Sequence, residues 1–191
     1  NAVVPMTYSA TFYAIKVFTN PDIPVNGGTF RPIDINIPEN CFLNAHRPAA
    51  VCAGNTETTM RVCDTVLKAA AQFALDKVHA ASQGTSNLIG IGGVDPRNGQ
   101  PYTYIETIAG GEGGKPWSDG TDGVQCNMTN TMNTPVEALE ITYPLRVECY
   151  EFRKGTGGAG KFRGGLGVTR SVRAIGHEAR VSLSAERRVL P

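Results

Sequence analysis

The sequence predicts an α+β fold: a mostly antiparallel sheet, two main helices and long glycine-rich loops. Three observations lead there. Apolar residues recur at helical spacing twice within the first 75 positions. The later segments are short, alternating and rich in Val, Ile, Tyr and Thr, as half-buried strands are. No regular strand–helix–strand alternation occurs, which argues against a parallel dinucleotide-binding sheet.

Residues 5–18 read as the first helix. Tyr8, Thr11, Phe12, Ile15 and Phe18 share its apolar spacing, Thr7 is placed to cap it, and Pro21 and Pro24 stop it. Asn26, Gly27 and Gly28 read as a turn. Residues 29–37 alternate as a strand, and Pro32 assigns that strand to a sheet edge. Residues 38–54 are loop-like. The clearest helix follows, with Asn55 or Thr56 as cap and Glu57 favouring its first turn. Val62, Cys63, Val66, Leu67, Ala70, Phe73 and Ala74 form its stripe, and it is expected to end near Leu75.

Strands are expected over residues 88–94, 102–109 and 145–153. In the last, Leu145, Val147 and Cys149 share one face, and Tyr150 and Phe152 the other. Residues 166–175 and 179–185 read as a hairpin around Gly176 and His177. No linker divides the chain, so residues 1–191 are expected to form a single domain, itself part of a longer chain.

A length of 191 residues suffices for a core, and 41% hydrophobic residues is ordinary. The 18% charged residues are few, which suits a chain that covers much of its surface against another subunit. A net charge of +1 gives no reason to expect nucleic acid or an anionic membrane as partner. No apolar run is long enough to span a bilayer, and no signal peptide is present. The five cysteines (41, 52, 63, 126 and 149) are odd in number and include no C-x-x-C. They read as buried small hydrophobes in a reducing, cytoplasmic compartment. The 22 glycines and 12 prolines cluster without a period, so collagen-like and solenoid folds are excluded.

Three segments can carry chemistry. Residues 110–123 (GGEGGKPWSDGTDG) place glycine amides where an anion can approach, and Asp119 and Asp122 can hold a cation or water, or simply make turns. No G-x-x-x-x-G-K-[ST] occurs, and Lys115 precedes a proline, so this is no Walker loop. In the second segment Asn127, Asn130 and Asn133 repeat every third residue, followed by Glu137 and Glu140. Such asparagines anchor loops or hold a substrate amide, and paired carboxylates can serve acid–base roles. Residues 155–167 contain Lys161 and Arg163 among glycines and precede a strand. They fit either an anion contact or a close crossing of two backbones. The three histidines are scattered without ligand spacing, and no G-x-S-x-G is present.

The ordered set of motifs resembles the hydantoinase B/oxoprolinase family. It comprises residues 26–33 (NGGTFRPI), 38–39 (PE), 43–44 (LN), 48–51 (PAAV), 55–58 (NTET) and 61–64 (RVCD). It continues with Gly110–Gly111 and 119–123 (DGTDG), 130–137 (NTMNTPVE) with Glu140 and Pro144, and 157–167 (GGAGKFRGGLG). The resemblance covers nearly the whole chain and fits a carboxyl-terminal portion of such a subunit. It implies an ATP-dependent hydrolase that opens a hydantoin, 5-oxoproline or lactam ring. ATP with Mg would sit on a hydantoinase A-type partner subunit or domain in a hetero-oligomer. A divalent metal would be held by residues outside this chain, upstream of Asn1. Relatives carboxylate acetone or acetophenone, which is the alternative activity, and a non-catalytic scaffold is a third reading. The chain departs from the family where an arginine commonly follows the loop glycines; Lys115 stands nearby. No catalytic or metal-binding residue is assigned within it. The expected substrate-site residues are Asp119, Asp122, Asn130 and Asn133. Glu137 and Arg163 are expected to hold that loop or to meet the partner.

Overall fold

A computed structural model describes residues 1–125 and 127–186; Cys126 and the last five positions lie outside them. Two helices pack at one end and two antiparallel sheets at the other. Helix α1, Val4–Thr19, begins with Pro5 in its first turn, where a missing amide hydrogen costs nothing. Thr7 does not cap it. It is buried one turn in and donates to the Leu43 carbonyl at 2.7 Å, tying α1 to the loop below. Ala10 and Ala14 are fully buried, and such small side chains let α1 lie close to the second long helix.

The expected strand over residues 29–37 does not form. Asn26 accepts the amides of Gly28 and Thr29 and caps a one-turn helix, α2, Gly27–Phe30. Phe30 stacks on Phe12 with ring centroids 4.2 Å apart, and no strand among the described residues pairs with this segment.

A single π-helical turn, Gly54–Thr58, leads into α3, Thr59–Ala70. Neither Asn55 nor Thr56 caps α3. Glu57 precedes it and is buried, accepting the Thr85 hydroxyl at 2.9 Å and the Ser86 amide at 3.0 Å. The carboxylate therefore pins α3 to the segment before the first strand. Cys63, Leu67 and Ala70 face α1 in a cluster with Ala14 and Val78. Looser turns continue to Lys77, and they leave Phe73 77% exposed, edge-on to Phe18.

Strands β1, Leu88–Val94, and β2, Pro101–Thr107, pair antiparallel. A short helix α4, Val136–Thr142, precedes β3, Leu145–Arg153. Then come β4, Gly167–Ala174, and β5, Ala179–Ser184. The expected β4–β5 hairpin is not formed. β4 pairs with β3, whereas β5 crosses over to pair with β1 in the order β2-β1-β5. The chain bends at Gly176, and His177 then meets the Tyr102 hydroxyl at 2.8 Å on the other sheet. Ile91, Tyr104, Leu139 and Leu145 fill the space between the sheets and α4.

The expected facing of β3 is half right. Leu145 and Val147 point inward, but a bulge between Val147 and Cys149 shifts the pairing by one residue. Val147 lies opposite Val172, and Tyr150 lies opposite Arg170. Tyr150 thus joins the face of Val147, and Cys149 turns to the other. The cysteines also depart from expectation. Cys63 is buried, Cys41 and Cys149 are half-buried, and Cys52 is exposed. No helix among the described residues is long and apolar enough to cross a membrane.

One ion pair fastens α4 to the β1–β2 turn. Arg97 chelates buried Asp95 through Nε and Nη2 at 2.7–3.0 Å and donates to the carbonyls of Ile141 and Thr142 at 3.1 and 2.9 Å. Its cation sits at the end of α4 where helix carbonyls are unpaired. The Arg97 side chain, outweighing the opposing effect of burial, holds the Asp95 carboxyl below the usual carboxylate range. A carboxyl depressed in the folded state stabilises fully above its unfolded pKa, ~4, and loses that contribution as pH falls through the folded value. The full-length protein should therefore lose stability more steeply below pH ~4 than its Asp95→Asn variant, read by thermal melts across pH. Parallel acid limbs would contradict this.

Candidate functional site

The two glycine-rich loops cross each other. Residues 110–123 and 155–167 are joined by paired contacts in which one loop's carboxylate or carbonyl accepts the other's amide. Arg163 N donates to Asp119 Oδ1 at 2.7 Å, and Gly120 N returns a bond to the Arg163 carbonyl at 2.7 Å. Three residues on, Leu166 N donates to Asp122 Oδ1 at 2.6 Å, and Gly123 N to the Leu166 carbonyl at 2.9 Å. Gly165 N donates to the Glu112 carbonyl at 2.8 Å. A Cβ at Gly111 would collide with the Gly165 backbone, and one at Gly165 with Thr121, so only glycine permits this approach. The amides of Gly120, Gly123 and Gly165 are thus spent on the crossing itself.

Glu112 closes the first loop. Its carboxylate accepts the Thr121 amide and hydroxyl at 3.1 and 2.9 Å, and Lys115 pairs with it at 3.1 Å. Burial alone would raise its pKa, but the bonds from Lys115 and Thr121 outweigh burial and hold the carboxyl low.

A second polar constellation lies where the sheets meet. Glu106 on β2 and Arg170 on β4 form an ion pair, Nε to Oε2 at 3.4 Å, with side chains only 4% and 1% exposed. Glu106 Oε1 accepts the Thr134 amide at 2.6 Å, and Arg170 Nη2 donates to the Thr134 carbonyl at 2.8 Å. The guanidinium lies 4.7 Å from the centre of the Tyr150 ring, a cation–π contact. Tyr150 donates its hydroxyl to Asn133 Oδ1 at 3.0 Å, and Asn133 Nδ2 donates to the Thr107 carbonyl at 2.9 Å. Tyr104 adds a buried hydroxyl beside Glu106 without a hydrogen bond of normal geometry; burial first, and Glu106 second, push its pKa far up. The pair thus clamps the strap of residues 130–135 onto both sheets.

The structure brings Asp119, Asp122 and residue 163 together, although through the backbone of Arg163; its side chain is exposed. Asn133 sits apart from them, as a brace in the Glu106–Arg170 network. Asn130 is exposed on the strap, and Glu137 is exposed on α4. Its companion Glu140 accepts the Val147 amide at 2.9 Å and so fixes the start of β3. Sequence reasoning missed Glu106 and Arg170. The signal was there: Tyr102, Tyr104 and Glu106 alternate onto the core face of β2, and Val168, Arg170 and Val172 onto that of β4. A charge in the apolar phase of each of two strands invites a buried pair. Among the described residues no three His, Cys, Asp or Glu side chains converge to hold a metal ion, and the amides of Gly120, Gly123 and Gly165 are bonded across the crossing. These residues therefore do not fit a metal.

Removing one member of a buried ion pair strands the other charge at a cost of ~3–5 kcal/mol, whereas removing both is far milder. The single Glu106→Leu variant should thus be destabilised more than the Glu106→Leu/Arg170→Met double variant in denaturant unfolding of the full-length protein. Additive losses in the double variant would contradict the pairing.

The comparisons with known proteins agree with this architecture. The family model for hydantoinase B/oxoprolinase matches residues 1–191. 5-Oxoprolinase 1 of Arabidopsis thaliana is 38% identical over 189 residues, covering 99% of this chain and 14% of that protein. The crystal structure of ATP-dependent caprolactamase from Pseudomonas jessenii superposes with a TM-score of 0.84 at 28% identity, over 97% of this chain and 33% of its own. A nucleotide-free acetone carboxylase structure shares the fold at a TM-score of 0.79 and 18% identity, over 96% of this chain and 25% of its own. The chain spans between 13% and 32% of the length of the first three curated relatives it matches. With the family model matched from its first residue to its last, the chain belongs to the hydantoinase B/oxoprolinase family.

Proposed function

We propose that this chain is a carboxyl-terminal portion of an ATP-dependent cyclic-amide hydrolase acting in the cytoplasm. The substrate would be a hydantoin, 5-oxoproline or a lactam. The observation that carries the reading is the alignment of nearly the whole chain with 5-oxoprolinases, together with its superposition on a caprolactamase. Ring opening of an unstrained amide is unfavourable without activation, and ATP would supply that activation from a hydantoinase A-type partner with Mg. Any divalent metal would be held by residues outside this chain. The ketone carboxylase alternative has only the fold likeness at 18% identity behind it.

Within that assembly the chain's own residues shape and brace the substrate site. Asp119 and Asp122 set the height of the crossed loops by fixing the backbones of Arg163 and Leu166. Asn133 braces the strap, and Asn130, exposed beside it, offers an amide donor and acceptor to a ring amide. Glu137 and the Arg163 side chain, both exposed, are placed to meet the partner.

The test uses the full-length protein co-purified with its A-type partner. Phosphate release is followed with 5-oxoproline, hydantoins, lactams and, with bicarbonate, ketones. Amide-dependent release with ring opening is expected; turnover only with a ketone and bicarbonate would overturn the reading. On the amide found, Asn130→Ala should cut kcat/KM about tenfold, the loss of one good hydrogen bond to substrate, with Tm unchanged. Asp119→Ala should cut turnover while the complex stays assembled. Full turnover in both variants would remove these residues from the site.

A further inference from the structure

A cleft of about 710 Å³ opens between α3 and the crossed loops. Its volume is that of a small-molecule site. Its accessible apolar lining includes Leu75 just beyond α3, half-buried Ala71 and, from the second loop, half-buried Phe162, so its body is apolar. Its charges are unbalanced. Arg61 is consumed by Asp64 at 2.7 Å and by the Gly84 carbonyl, and Lys115 is paired with Glu112. Lys68 on α3 and Lys161 on the loop are exposed, and neither forms an ion pair among the described residues. The Lys161 ammonium lies 5.3 Å from the centre of the Phe162 ring, which also lines the cleft. Two unneutralised cations, one from α3 and one from the second loop, lining one apolar cleft make a site for one negative charge carried on an apolar body.

We propose that this cleft binds a small organic carboxylate with an apolar chain or ring, its carboxylate between Lys68 and Lys161 and its body against Ala71, Leu75 and Phe162. Lysines suit this role as mobile point charges, whereas Arg61 is already locked by two acceptors. The inference stands on the cleft's own geometry and does not depend on which reaction the assembly catalyses.

The experiment titrates the full-length protein, in complex with its partner, with hexanoate, hexanol and acetate by calorimetry. Hexanoate should bind saturably, with hexanol and acetate at least about tenfold weaker, because each lacks one half of the recognition. Binding of hexanoate should weaken as salt rises, since the two cations are exposed. The Lys68→Gln/Lys161→Gln variant, altered only at exposed positions, should lose about tenfold or more of hexanoate affinity with Tm unchanged. Thr65→Trp, at the exposed mouth, should block binding by bulk. Equal affinity for hexanol and hexanoate, undiminished binding in either variant, or no saturable binding at all would each overturn the proposal.

Discussion

Two backbones cross where no side chain fits between them, and much of the carboxyl-terminal half is arranged around that crossing. Asp119 and Asp122 stand three residues apart and take the amides of residues 163 and 166, which are also three apart. The match of spacing makes the crossing a short ladder, with Gly120 and Gly123 returning bonds in the opposite direction. Glycine at 111 and 165 permits the contact; the aspartates make it specific. An unpaired buried amide costs more than a made bond gains, so the loops have one arrangement that satisfies them and few that come near it. The second loop leads straight into β4 at Gly167, and β4 carries Arg170 into its ion pair. Crossing and ion pair are therefore linked by three residues of chain.

That linkage explains why the site residues divide as they do. The aspartates act on backbone, at one remove from any ligand. The Glu106–Arg170 pair is buried and held by Thr134 and Tyr150, and it fixes the strap on which Asn133 braces and Asn130 is displayed. A buried pair adds little net stability over apolar packing, but breaking it strands a buried charge, so it resists displacement of either strand. Here it links β2 and β4, which belong to different sheets and share no hydrogen bonds. The helical end is organised by the same logic on a smaller scale, with Glu57 tying α3 to the approach to β1.

Much of this was legible in the sequence, and what was not failed for physical reasons. β1 and β2 declared themselves by apolar runs and alternation, and the two long helices by spacing. The strand expected over residues 29–37 failed because alternation states a preference while a strand needs a partner; Asn26 and the Phe30–Phe12 stack offered the backbone something nearer. The β4–β5 hairpin failed because a glycine turn does not say which sheet the returning strand will join. Cys149 and Tyr150 exchanged faces because a bulge leaves no mark on composition. Of the site, the glycine loops and their aspartates were visible, yet their purpose was not: G-rich segments that cradle an anion and those that cross another backbone share one composition. The partner of each amide decides between them, and that is a tertiary fact.

The most direct test of this account is hydrogen exchange of the loop amides in the full-length protein, with and without ATP. The account predicts that the amides of Gly120, Gly123, Arg163, Gly165 and Leu166 are protected already in the free protein, and that ATP changes their exchange little. Fast exchange in the free protein, with protection appearing only when ATP is added, would contradict it and make the loops an anion cradle.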